Sequence, residues 1–222
     1  MARLIDHTNL RPEATPSDIV RLCEEAREFG FGAVMINACY VALASEQLRA
    51  SLVKVGAVVG FPLGATLTSV KVFETEQMLR LGAREIDMVM NIGWLKAGWR
   101  EQVLSDIGAV AELVHGHGAL LKVILETGLL TDDEKLVACE ISERANADFV
   151  KTSTGFLGGV ARVEDVALMR RAVRIGVKAS GGIRTAAEAR ALIEAGADRL
   201  GTSSSVKIVA ELRSEEAKVR TL

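Results

Sequence analysis

The 222-residue chain is predicted to be an α/β protein folded as one (β/α)8 barrel, the TIM-barrel architecture. Three observations lead there. Short apolar runs alternate with helical patterns eight times, within the ~200–250 residues that such a barrel needs. The helical stretches carry start and stop signals between the runs. A faint repeat recurs with one spacing in three parts of the chain. An open doubly wound sheet would show the same alternation, but the first strand-to-helix turn lacks a glycine fingerprint. No proline-rich linker or low-complexity stretch divides the sequence, so residues 1–222 are expected to form a single domain.

The expected strands, in order, are Leu4–His7, Ala33–Asn37, Lys54–Gly60, Glu85–Asn91, Leu120–Glu126, Asp148–Ser153, Gly176–Ser180 and Arg199–Ser203. Most are nearly continuous in apolar residues, as parallel strands covered on both faces must be. The first helix should begin at Thr15-Pro16-Ser17-Asp18, with an N-cap and a proline at its first position. Thr131-Asp132-Asp133-Glu134 and Thr185-Ala186-Ala187-Glu188 fit capping boxes. Gly30, Gly82 and Gly196 fall where helices should stop. The repeat is Ala83-Arg84-Glu85-Ile86-Asp87, Ala147-Asp148-Phe149-Val150-Lys151 and Ala197-Asp198-Arg199-Leu200-Gly201. If the three units are equivalent, Asp87, Lys151 and Gly201 stand at similar heights around one barrel.

Composition narrows the function. Hydrophobic residues are 49% and charged residues 25%, which suits a globular protein with a full core. A net charge of −2 gives no reason to expect nucleic acid or an anionic membrane as partner. No apolar stretch reaches the ~18 residues of a membrane span, and the charges in Arg3 and Asp6 come too early for a signal peptide. Cys23, Cys39 and Cys139 are odd in number and far apart, so they are expected to be reduced thiols in a cytoplasmic protein.

Active sites in (β/α)8 barrels sit at the carboxyl ends of the strands. Lys151 and Lys178 end the sixth and seventh apolar runs, and Asp87 lies in the fourth. A lone lysine is usually a solvated ion-pair partner, and a lone strand-end carboxylate usually binds a loop. Two lysines beside an acid favour chemistry. A buried amine finds a partner or loses its proton, and a neutral amine can form a Schiff base with a carbonyl. A second constellation follows strands 7 and 8: Ser180-Gly181-Gly182-Ile183-Arg184 and Gly201-Thr202-Ser203-Ser204-Ser205. Glycines there would let backbone N–H groups approach an anion, with serine hydroxyls and Gly155 adding donors. Ordinary turn glycines and N-cap serines would look the same. His115-Gly116-His117 lies near a helix end, so no metal site is expected. His7 ends the first strand and could touch the site, Phe61-Pro62-Leu63-Gly64 could frame its mouth, and Trp94 and Trp99 are expected to pack. No serine or cysteine has an evident paired histidine, which disfavours a hydrolase nucleophile.

These residues together resemble the deoxyribose-phosphate aldolases, Schiff-base aldolases built on a (β/α)8 barrel. The resemblance runs through Ile5-Asp6-His7-Thr8, Val59-Gly60-Phe61-Pro62-Leu63-Gly64, Glu85-Ile86-Asp87-Met88-Val89, Leu121 to Gly128, Phe149 to Gly155, Val177 to Arg184 and Leu200 to Ser204. Lys-Thr-Ser-Thr-Gly at 151–155 is the most specific of these. The resemblance implies reversible cleavage of 2-deoxy-D-ribose 5-phosphate to acetaldehyde and D-glyceraldehyde 3-phosphate, in deoxyribonucleotide catabolism. It makes Lys151 the imine-forming residue, Lys178 the group that lowers its pKa and aids proton transfer, and Asp87 a proton handler acting through a water. It makes Gly155, Gly181, Gly182, Ser203 and Ser204 the phosphate holders. Asp6 and Lys122 support the network, and Thr154 contacts substrate. It implies no cofactor and no metal, a small sugar phosphate and aldehydes as partners, and a homo-oligomer, a dimer.

Three positions depart from the family pattern. Met35 stands where many members carry a cysteine. Phe156 follows the Thr-Gly pair where some members have a lysine, which implies a weaker phosphate grip. The tail Lys218-Val219-Arg220-Thr221-Leu222 lacks the tyrosine that reaches the site in some members. A sugar-phosphate isomerase or a non-catalytic sugar-phosphate-binding barrel would be the alternative, though neither has a use for Lys151, Lys178 and Asp87 together.

Overall fold

Eight parallel strands close into a barrel, each paired with its sequence neighbours and the eighth with the first, in a computed structural model describing residues 1–220 and side chains through Glu215. The strands are β1 Ile5–Asn9, β2 Ala33–Ile36, β3 Lys54–Val59, β4 Glu85–Val89, β5 Leu120–Ile124, β6 Phe149–Lys151, β7 Gly176–Ser180 and β8 Arg199–Thr202. The helices that cover them are α1 Pro16–Phe29, α2 Val41–Gln47, α3 Thr68–Arg80, α4 Ile92–Lys96, α5 Arg100–Gly116, α6 Asp132–Arg144, α7 Val163–Ala172, α8 Ala186–Glu194 and α9 Ser205–Arg220. This is the predicted (β/α)8 barrel, with short extra helices.

Local sequence explains the helix boundaries. Capping boxes close at Thr15 with Asp18, at Thr131 with Glu134 and at Thr185 with Glu188. Each satisfies backbone N–H groups that a helix start leaves free. Gly30 caps α1 at φ +68, and Gly82 and Gly196 turn the chain at φ +107 and +109.

Most expected strands run too far. Asn37, Gly60, Met90, Asn91, Leu125, Glu126, Thr152, Ser153 and Ser203 lie beyond the ladders. At two of these ends the backbone has already turned, with Gly60 at φ +61 and Glu126 at φ +57. β1 errs the other way: polar Thr8 and Asn9 pair with Met35 and Ile36. Leu4 belongs to a single turn of 3-10 helix before β1.

The main core lies between the strands and the helices, where residues such as Ile19, Cys23, Val34 and Ile36 are fully buried. Lys71 of α3 and Asp106 of α5 are also fully buried and pair at 2.6 Å; the lysine donates further to the Val89 carbonyl and Thr68 to the second Asp106 oxygen. That pair ties α3 to α5. Inside the barrel, Leu10, Met35, Val58 and Phe61 form a separate apolar cluster on the β1–β3 side. The rest of the interior holds most of the buried charges, Asp6, Glu85, Asp87, Lys122, Lys151 and Lys178 among them. Trp94 packs against the core, but Trp99 is 53% exposed, so the packing expected of it does not occur. Among the described residues, no helix is long and apolar enough to cross a membrane. The three cysteines are free; Cys23 and Cys139 are buried and Cys39 is exposed. Thr221 and Leu222, and the side chains of Lys218 to Arg220, lie outside the described region, and with them the expectation about the tail.

Candidate active site

Alternation along the strands builds the site. Glu85 and Asp87 on β4, Lys122 on β5, Lys151 on β6, Lys178 on β7, Arg199 on β8 and Asp6 on β1 all meet inside the barrel. Pairing places Asp87 beside Lys122 and Lys151 beside Lys178. Lys151 Nζ and Lys178 Nζ each donate to Asp87 Oδ2 at 2.7 Å. Lys122 Nζ donates to Asp87 Oδ1 at 3.1 Å and to Glu85 Oε2 at 2.5 Å. Lys178 Nζ also lies 2.5 Å from Asp6 Oδ2. Arg199 closes the lower end, bonded to Asp6 and to both oxygens of Glu85.

Charge balance then selects the odd group. Three carboxylates, Asp6, Glu85 and Asp87, face four cations, Lys122, Lys151, Lys178 and Arg199. Fully ionised, this buried network carries an extra positive charge, which low dielectric makes costly. Burial pulls the Lys151 amine down to about 8, the Asp87 carboxylate resists this, and the Lys178 and Lys122 charges add to it. Lys122 goes the other way: burial would lower it, but Asp87, Glu85 and Asp6 hold it above its usual value. Burial works to raise Asp87, yet Lys122, Lys151 and Lys178 hold it well below the usual carboxylate range. Asp6 likewise falls to about 2, burial being outweighed by Lys178, Lys122 and Arg199. Lys151 is thus an amine drawn below its ordinary value, and it alone of these charged groups faces the open cavity.

That cavity has a volume of about 550 Å³, within the range of small-molecule sites. Its wall includes Lys151, Thr154, Gly155, Gly181, Gly182 and Ser203. Gly155, Gly181 and Gly182 have φ of +83, +101 and +73, which side-chain-bearing residues avoid. A Cβ on Gly181 would fall 2.8 Å from the Gly159 carbonyl, where the loop after β6 meets the loop after β7. Ser204 is set back, its backbone N–H donating to Thr202 Oγ1. Asp87, Lys178, Asp6 and Lys122 lie beneath the floor, fully buried. The structure therefore brings the two predicted constellations together, while Asp6 and Lys122 sit too deep to meet a ligand directly. Phe156 packs edge-on against Phe61 at the mouth, 5.2 Å between ring centres. Met35 fills the apolar side of the barrel.

Other residues of the site went unpredicted. Glu85 and Arg199 complete the interior network, and both occupy the third position of the repeat, two residues before Asp87 and Gly201 on the same strand face. That spacing was the available signal. Gly201 matters by what it lacks: a Cβ there would lie 3.0 Å from Lys178 Cε. Glu126, fully buried, accepts from Thr154 N–H at 2.9 Å and from its hydroxyl at 2.6 Å, which fixes the turn leading to Gly155. Arg11, Arg21 and Arg184 also line the cavity. His7 does too, bonded to Glu25 and Ser205. Among the described residues no cluster of His, Cys, Asp and Glu could hold a metal ion.

Comparison with known proteins gives the same direction. The model of the DeoC/LacD family aldolases matches residues 1–210. The chain is 55% identical over 218 residues to a deoxyribose-phosphate aldolase of Caldanaerobacter subterraneus subsp. tengcongensis, covering 97% of this chain and 94% of that one. It is 56% identical over 220 residues to a deoxyribose-phosphate aldolase of Thermococcus gammatolerans, covering 97% and 98%. Among solved structures, a tetrameric deoxyribose phosphate aldolase from Aeropyrum pernix superposes with a TM-score of 0.91 at 36% identity, over 96% of this chain and 91% of that one. With a match reaching from residue 1 to residue 210 and over half of all positions shared with these relatives, the chain belongs to the DeoC/LacD aldolase family.

Proposed function

We propose that this aldolase reversibly cleaves 2-deoxy-D-ribose 5-phosphate to acetaldehyde and D-glyceraldehyde 3-phosphate through an imine on Lys151, with residues 1–222 acting as one domain. One observation carries the reading: a lysine 3% exposed, drawn down to about 8, ends a strand at the floor of a cavity. The neutral amine adds to the C1 aldehyde of the open-chain sugar, and loss of water leaves a protonated imine. That imine is the electron sink. Removal of the C3 hydroxyl proton breaks the C2–C3 bond, releases glyceraldehyde 3-phosphate and leaves an enamine. Protonation at C2 and hydrolysis free acetaldehyde and restore the amine.

Asp87 stays a carboxylate, so it accepts and orients protons and does not serve as the resting acid. Lys178 donates to the same Asp87 oxygen as Lys151, which places it to pass a proton to the imine nitrogen through Asp87 or a water. Thr154 contacts the sugar. Gly155, Gly181, Gly182 and Ser203 hold the phosphate, Ser204 supports that loop, and Asp6 and Lys122 act through the network. No metal or cofactor has a role in these steps. Sugar-phosphate isomerisation would need a free carboxylate base beside the sugar, whereas Asp87 binds three lysines and the two carboxylates on the cavity wall are engaged, Asp18 with Thr15 and Arg21 and Glu25 with His7.

Working as a cytoplasmic enzyme of deoxyribonucleotide breakdown, and as a dimer, belongs to the same proposal. Exposed Leu67, the N-cap of α3, and Val70 and Phe73 within the helix follow one another every third residue, a stripe for a second copy to cover. Turnover of 2-deoxy-D-ribose 5-phosphate, coupled to detection of the released triose phosphate, tests the chemistry. The wild type should turn over unaffected by EDTA, and Lys151→Ala should lose at least ~10³-fold in kcat. Activity that survives Lys151→Ala, or that EDTA abolishes, contradicts the proposal.

A further inference from the structure

The His7 ring sits at a point where hydrogen-bond bookkeeping does not close in its neutral form. His7 is 4% exposed and lines the same cavity as Ser203 and Gly182. Its Nε2 lies 2.7 Å from Glu25 Oε2, and its Nδ1 lies 2.9 Å from Ser205 Oγ. Ser205 is itself fully buried and sits 3.0 Å from the Thr202 carbonyl. A carboxylate only accepts, so Nε2 must carry a hydrogen. In a neutral ring Nδ1 is then an acceptor. The single Ser205 hydroxyl hydrogen is asked to serve both Nδ1 and the Thr202 carbonyl, and one of them goes without. In the doubly protonated ring Nδ1–H donates to Ser205, and the hydroxyl is free to donate to Thr202. Only the imidazolium satisfies all three contacts.

Thr202 connects this relay to the phosphate side of the site. Its hydroxyl donates to the Ile183 carbonyl at 2.7 Å and accepts the Ser204 N–H at 2.9 Å. One residue therefore joins the loop after β7 to the loop after β8, the two that carry Gly181, Gly182 and Ser203. We propose that His7 is a positioning residue for phosphate: protonation of its ring completes the relay through Ser205 to Thr202, and bound phosphate in turn favours the protonated ring. The inference rests on the aldolase reading of this cavity and adds a titratable control to its phosphate end.

The surroundings of the ring are few. Glu25 comes from α1, Ser205 from α9 and Thr202 from β8, while the β2 neighbour Val34 and the Phe31 ring, 5.0 Å away, are apolar. Asp18, Arg21, Arg11 and Arg184 stand on the same cavity wall. Burial pushes His7 below its usual value, against the pull of Glu25, so the free protein holds the ring largely neutral near pH 7 and leaves room for a ligand to act. Linkage requires the effect to be reciprocal.

Histidine ring titrations followed by NMR test this on the wild-type protein, with and without saturating inorganic phosphate. The His7 signal is assigned as the one missing in His7→Gln, or by elimination from His115→Gln and His117→Gln. The expected result is a His7 midpoint raised by ~0.5–1 pH unit by phosphate, a ~3- to 10-fold coupling, with exposed His115 and His117 unmoved. In steady-state kinetics the KM of His7→Gln should exceed that of the wild type at pH values below the His7 midpoint found by NMR and approach it as the pH rises above that midpoint. A purely structural role would raise KM by the same factor at every pH. Turnover is measured on the same samples. An unmoved His7 midpoint in an active enzyme that binds phosphate overturns the inference and leaves the aldolase reading standing.

Discussion

An amine kept near neutrality inside a protein weakens the fold, and Lys151 carries that cost. Its folded value of about 8 lies below its ordinary 10.5. Between those values the unfolded chain binds a proton that the folded chain does not, so stability rises with pH across that window. At neutral pH the full penalty is present, of order ~3 kcal/mol. Lys151→Met should therefore be inactive yet more stable than wild type, with a Tm at pH 7 higher by several degrees. Thermal melts at pH 7 and pH 10 would check this, the gap between variant and wild type narrowing at the higher pH. A Tm below wild type would mean that Asp87 needs all three lysines. Lys151, Lys178 and Asp87 were legible in the sequence because charges within or closing apolar strands are rare. Glu85 and Arg199 were not, because a charge at the start of a strand ordinarily faces water. The charge balance that singles out Lys151 depends on both.

At the scale of the element, strand ends set the chemistry. The apolar runs located all eight strands, since parallel strands buried on both faces need continuous apolar sequence. They misjudged where the strands stop, because loop residues such as Leu125 and Glu126 are buried too. Glu126 reads as one more strand residue, yet its left-handed backbone turns the carboxylate onto Thr154, which no local pattern announces. The third repeat unit ended in a glycine, and the reason emerged only in three dimensions. Gly201 leaves room for the Lys178 side chain, so Gly201→Ala should displace that amine. The expected outcome is a fall in kcat of ~10-fold or more, with a stability loss of no more than ~1–3 kcal/mol. Denaturant unfolding and kinetics on one preparation separate the two. Unchanged kcat would remove Lys178 from the proton path.

For the whole molecule, closure of the barrel brings residues nearly two hundred positions apart into contact, as Arg199 with Asp6 and Ser205 with His7. The sequence pattern carried this only through the count of strands. Association is a separate matter from folding, and no pattern marked it beforehand; the stripe on α3 became visible once the opposite face of that helix was seen buried. Phe73→Glu should turn a dimer into a monomer without loss of folded structure, measured by light scattering and circular dichroism. A wild type that is monomeric at micromolar concentration, or a variant that remains dimeric, contradicts the assignment of that face.

The central claim is a covalent one: Lys151 forms an imine with its carbonyl substrate. Borohydride reduction in the presence of acetaldehyde, followed by peptide mass mapping, tests it most directly. The account predicts a stable two-carbon adduct on the peptide holding Lys151, forming faster as the pH rises to about 8 because the neutral amine is the nucleophile. An adduct on Lys178 would reverse the roles of the two lysines, and a folded protein that gives no adduct would contradict the mechanism.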